Sequence, residues 1–294
     1  MIGKTFFQEH KDEAARLGIL SLVMIVLYSP TFSMFWYDWS HDDNYSHGFL
    51  VPFIVGYLVW TKRDQLGRLV PAPSWTGLVV LVAGVGLYVL GTIGAEWFIR
   101  RSSMIVVLGG LILYLYGVGH FRVLLFPLTY MIFMVPLPAI VYKGLAFRLQ
   151  ILVSIISAEI IRLLGIAVYR NGNVLEVAQV GPLAVEEACS GMRSILALLA
   201  LSSLLAYILY RTRLRQWILV AFALPVAVVT NIFRVTMTGI LSYHFGREMA
   251  EGWLHESFGG IVFVIAFALL WLVSKAMDAF LPEPPKEAAA SSAP

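Results

Sequence analysis

Charge is what this sequence has least of. Asp, Glu, Lys and Arg make up 13% of its 294 residues, about half the share of an ordinary soluble domain. Hydrophobic residues make up 59% and the mean hydropathy is +0.80. Those figures exclude a soluble globular chain, and apolar runs long enough to cross a bilayer recur from end to end. The formal net charge is only +3 and the cations sit in short loops, so no basic patch exists for a nucleic acid to dock on. Cysteine is scarcer still. There is one, Cys189, which excludes an internal disulfide. No small-residue cleavage site follows the first apolar run, so that run is expected to be a retained helix.

Apolar runs fall at about 17–36, 47–61, 76–95, 103–119, 122–136, 190–210, 216–236 and 256–276. They predict an all-α polytopic integral membrane protein with about eight transmembrane helices. The segment 144–165 mixes Arg148, Gln150, Ser154, Ser157, Glu159 and Arg162 with apolar residues. It reads as an amphipathic helix at the interface or lining a cavity. Residues 166–188 alternate apolar with polar around Asn-Gly and Gly-Pro breaks, the pattern of a short β-like hairpin. One membrane-embedded domain over 1–280 is expected. The Pro/Ala/Ser-rich stretch 281–294 is expected to be a disordered cytoplasmic tail.

Lys62, Arg63 and Arg68 follow the second run, Arg211, Arg213 and Arg215 separate the sixth from the seventh, and Lys275 ends the eighth. Cytoplasmic loops collect Lys and Arg, which puts the hairpin outside, provided 144–165 does not cross. The charge rule argues against its crossing. Cys189 then opens the sixth helix, Asn231 and Arg234 close the seventh, and His255 opens the eighth. Topology alone brings these residues to the outer membrane boundary.

The residue types suit acyl chemistry. A thiolate attacks, and the first turn of a helix favours the anion. Histidine can take the thiol proton and pass it to a leaving amine, and arginine is a fixed donor for an oxyanion. Glu186 and Glu187 oppose the thiolate unless paired, and Arg193, one turn below Cys189, is placed to pair with one of them or to hold substrate backbone. Gly259, four residues after His255, leaves room for a close approach on the same helix face. Each residue also has a plainer reading: an inert buried thiol, an arginine reaching for headgroups, an interfacial histidine. His41, His47 and two aspartates lie in "HDDNYSH" without helical metal-ligand spacing, so no metal and no cofactor is expected. His244 is a rival base and Ser190 a rival nucleophile.

The blocks "EEACSGMRS", "NIFRV" (231–235) and "HESFGG" (255–260) resemble the signature blocks of the exosortase/archaeosortase family. "YSHGFLVPFIVGYLVW" (45–60) and "VPLP" (135–138) are similar to its N-terminal half, so the likeness runs from about residue 40 to 275. It implies a membrane cysteine peptidase or transpeptidase of the bacterial inner membrane, with its active site facing the periplasm. Cys189 would be nucleophile, with Arg234 and His255 beside it. The implied substrates are membrane-tethered exported proteins with a C-terminal Pro-Glu-Pro-type (PEP-CTERM) sorting signal, passed to a surface acceptor that the sequence does not name. The chain's own "PEPP" (282–285) follows its last helix, the wrong order for such a signal. The alternative is a non-enzymatic component of exopolysaccharide export, and a simple hydrolase would share every catalytic residue.

Overall fold

A computed structural model describes residues 2–185, 191–250 and 252–281, with backbone alone for 2–17, 249–250 and 252–257. It is a helical membrane protein. Among the described residues, eight helices are long and apolar enough to cross a membrane. The chain separates into two compact units, 1–136 and 137–294.

The first unit contains α1 (Ile2–His41), a 3-10 turn (Asp43–Phe49), α2 (Leu50–Thr61), α3 (Arg63–Gly67), α4 (Trp75–Ile93), α5 (Trp97–Leu115) and α6 (Gly117–Tyr130). Its tightest pairing is the α4–α5 hairpin. Gly77 abuts the backbone of Tyr114, Gly84 that of Val107 and Gly91 that of Arg100, while Gly110 meets Leu81 from the other side. The α4 glycines recur every seven residues, so one stripe faces α5 and the helices touch backbone to backbone. Small residues in the spans allow close helix packing, and of Gly84, Gly86, Gly109 and Gly110, Gly84 and Gly110 lie in this seam. Gly109 meets only the Phe121 ring, and Gly86 faces open space.

At 12 residues, α2 is too short to count as a span by itself. Its pairing with α6 shows what it does. His47 Nε2 bonds the Phe133 carbonyl at 3.1 Å and Trp39 Nε1 donates to the Met134 carbonyl at 3.0 Å. Beyond the far end of α2, Leu69 lies over Gly119 and the Ala72 amide donates to the Tyr116 carbonyl at 3.1 Å. The segment 43–69 therefore runs antiparallel to Gly117–Met134 over its full height. Where one crosses, so does the other.

The second unit contains α7 (Ala139–Leu163), β1 (Val168–Asn171), β2 (Val174–Val177), β3 (Gly181–Ala184), α8 (Met192–Leu209), α9 (Arg213–Phe245) and α10 (Gly252–Phe280). The expected hairpin is a three-stranded antiparallel meander, β1-β2-β3. Asn171 pairs with Val174, leaving a two-residue turn whose first residue, Gly172, has φ +62°. A glycine in that position makes the tight turn that right-handed strand twist prefers. Leu175 and Val177 point inward from β2 and pack with Val153, Ile161 and Val235.

The helix α7 differs from its sequence reading. Gln150, Ser154 and Ser157 are buried, whereas Phe147, Leu152, Ile155 and Leu163 are exposed. Its uncharged polar groups face inward, its exposed face mixes apolar residues with Lys143, Arg148, Glu159 and Arg162, and Ala139–Leu163 qualifies as a span by length and composition. Length and composition admit a crossing, and the loop charges at 211–215 oppose it. Sequence alone left the inward face open because a period of apolar residues cannot say which face meets lipid.

The helix α9 extends to Phe245, nine residues past its expected end. It is the axis of the unit. Ala223, Ala227 and Val226 pack with Leu198 of α8 and with Ala266 and Leu270 of α10. The α8–α9 corner is fastened to the end of α10. Tyr210 Oη bonds Ser274 Oγ at 2.6 Å, and Arg215 pairs with Asp278.

Candidate active site

The site assembles around two residues of α9 that lie three apart. Asn231 is 3% exposed. Its Cγ would stand 2.9 Å from a Cβ built on Gly191, the residue that starts α8 with φ +79°. Only glycine suits both the backbone angle and the approach. Three residues on, the Arg234 guanidinium lies over Gly259 of α10, its Nη2 3.5 Å from where a Cβ would be. Residues three apart share a helix face. Thus "NIFRV" touches the block that carries Cys189 through Gly191, and the block that carries His255 through Gly259.

Support comes from α7 and the sheet. Ser157 Oγ donates to the Ile232 carbonyl at 3.3 Å, on the turn between Asn231 and Arg234. Ser154 Oγ donates to the Gly172 carbonyl at 3.1 Å. Asn173 Nδ2 donates to the Val185 carbonyl at 3.2 Å, and the Val185 amide returns a bond to the Asn173 carbonyl at 2.9 Å. The Asn173 bonds hold the chain just before the cysteine block, at Val185, and the packing of Asn231 on Gly191 holds it just after.

Cys189, Glu186, Glu187 and the rival Ser190 lie outside the described residues. His255 lies in the first turn of α10 by its backbone. Arg193 is exposed on the first turn of α8. The rival base His244 is in the last turn of α9, ten residues and about 15 Å of helix beyond Arg234. Gly259 was expected to admit a backbone or a substrate, and the group over it is the Arg234 guanidinium. Sequence reading missed the roles of Gly191 and Ser157. The signal for Ser157 was its spacing from Gln150 and Ser154, which puts all three on one face of α7. Among the described residues no three His, Cys, Asp or Glu side chains gather to hold a metal ion.

The fold and this seam define a class: a multi-pass helical membrane protein in which Asn231 and Arg234, inside α9 rather than at its end, meet the start of α8 and the first turns of α10. The model of the transmembrane exosortase family matches residues 39–272, and the chain belongs to that family. No curated protein and no solved structure matches it.

Proposed function

We propose that this chain is a membrane cysteine peptidase of the transpeptidase type, which cleaves the C-terminal Pro-Glu-Pro-type sorting signal of exported proteins. The thiolate of Cys189 attacks the scissile carbonyl. Arg234 donates to the oxyanion, His255 takes the thiol proton and protonates the leaving amine, and a thioester remains on the enzyme. Water or an acceptor amine then resolves it. The observation that carries this reading is the pair of close approaches, Asn231 on Gly191 and Arg234 on Gly259, which draws the three family blocks to one place. Asn231 positions the start of α8, and Arg193 is placed to hold Glu186, Glu187 or substrate backbone.

The site is assigned to the periplasmic face of the inner membrane. Arg211, Arg213 and Arg215 begin α9 and Lys275 falls near the end of α10, at the opposite ends of the helices that carry the site. That asymmetry follows the positive-inside rule. The surface acceptor is a nucleophile supplied by another molecule.

Hydroxylamine tests the thioester. Added to membranes with a signal-bearing substrate, it should divert the product to a C-terminal hydroxamate, readable by mass. Wild type should give hydroxamate and Cys189→Ala should give none. Equal processing by both proteins would remove the thiol from the chemistry and favour the non-enzymatic export component.

A further inference from the structure

The first unit buries a cation that no described group neutralises. Arg100 and Arg101 are consecutive on α5 and 9% and 7% exposed. Arg101 pairs with Asp38 of α1. Arg100 has no carboxylate within ion-pair distance among the described residues, Glu96 included. Its Nη2 donates to Tyr88 Oη at 3.4 Å, and that hydroxyl donates onward to the Leu27 carbonyl at 3.0 Å. Its Nε is buried with no hydrogen-bond partner. The guanidinium lies 5.3 Å from the Tyr88 ring centre and 6.0 Å from that of Trp97. Of the two buried guanidiniums, Arg101 alone has a carboxylate beside it among the described residues.

A guanidinium cannot shed its proton, and burying it unpaired is strongly unfavourable. The missing partner is an anion. Its place follows from geometry. Side chains on a helix lean toward the N-terminus, and the guanidinium lies 6.0 Å from the ring centre of Trp97, the first residue of α5. The amides of the first turn of α5 lack helical acceptors, and Glu96 makes no side-chain cap bond there. Backbone donors and a guanidinium fork at one helix start suit a phosphate.

The depth of the site points to the source. Trp36 and Tyr37 near the end of α1 are 66% and 62% exposed, and Trp97 is 47% exposed. The Arg101–Asp38 pair ties these two helix ends together. Exposed Trp and Tyr mark the membrane–water boundary, so Arg100 sits at headgroup level. Exposed Val23 and Val26 of α1 and Leu90 and Ile93 of α4 offer acyl chains an apolar wall.

We propose that Arg100, with the first turn of α5, binds the phosphate of an anionic phospholipid at the membrane boundary. This site is independent of the peptidase reading. The test titrates phosphatidylglycerol into the purified full chain in detergent, following retained lipid by native mass spectrometry and the thermal midpoint. Phosphatidylcholine and inorganic phosphate are the comparison probes. Phosphatidylglycerol should bind as a single tight adduct, stabilise the chain, and outcompete phosphatidylcholine. Arg100→Gln should weaken it about tenfold, the loss of a charged hydrogen bond, while Arg63→Gln on the exposed surface leaves it unchanged. Should Arg100→Gln fail to fold, Tyr88→Phe keeps the ring and frees Nη2, and it should retain the lipid. Phosphatidylglycerol binding no tighter than phosphatidylcholine, or unchanged in Arg100→Gln, or lost in folded Tyr88→Phe, overturns the proposal. Stabilisation by inorganic phosphate without any by phosphatidylglycerol overturns the lipid as its source.

Discussion

Arg234 and Gly259 test each other. An alanine Cβ at 259 would stand 3.5 Å from Nη2, an ordinary contact, so Gly259→Ala should retain processing. Gly259→Leu fills the space the guanidinium occupies and should abolish processing without loss of membrane-inserted protein. Arg234→Lys keeps the charge and loses the planar fork. Processing should fall about 100-fold, the usual cost of removing an oxyanion donor. Equal activity in Gly259→Leu and Gly259→Ala would show that Arg234 does not act from the position it holds. The pairing of these residues was legible from sequence only as a shared depth. Helix length and loop charge set the level of Arg234 and His255 but not their rotation about each axis, and rotation decides which groups meet. Gly191 was beyond reach for a related reason: its φ of +79° answers to Asn231, forty residues away.

At the scale of elements, the helices were legible and their bounds were not. Eight apolar runs predicted a polytopic helical protein, and among the described residues eight helices qualify as spans by length and composition. They are not the same eight, because α2 gains its crossing length from the 3-10 turn before it and α7 hides its polar face inward. Ser157 couples α7 to α9 on that inward face. Ser157→Ala should destabilise the protein by about 1 kcal/mol, the net worth of a hydrogen bond, readable as a lower thermal midpoint in detergent. His47 fastens the 3-10 turn to the end of α6. His47→Ala should lower the thermal midpoint in detergent by removing that bond, and an unchanged midpoint would show that the bond does not hold the turn in place.

Sidedness belongs to the whole molecule. The reading places the cations at 62–68 and at 211–215 on the inner face, and the meander and site on the outer one. That arrangement requires α7 to enter the bilayer without traversing it, since a full traverse inverts everything after it. With one native cysteine, single-thiol labelling is direct. In a Cys189→Ser background, Tyr169→Cys should react with an impermeant maleimide added to spheroplasts. Arg63→Cys and Arg211→Cys should react only after permeabilisation. Opposite sidedness of positions 63 and 211 would mean that α7 crosses fully.

The central claim is that Cys189, Arg234 and His255 act together, and one comparison tests it most directly. A tagged protein bearing the tripartite signal is co-expressed with wild type, Cys189→Ala, Arg234→Ala or His255→Ala at matched membrane levels, and its processing is measured. The account predicts cleavage by wild type and none by any of the three variants. Processing that survives in Cys189→Ala would contradict it, leaving the thiol structural and the seam around α9 without a nucleophile.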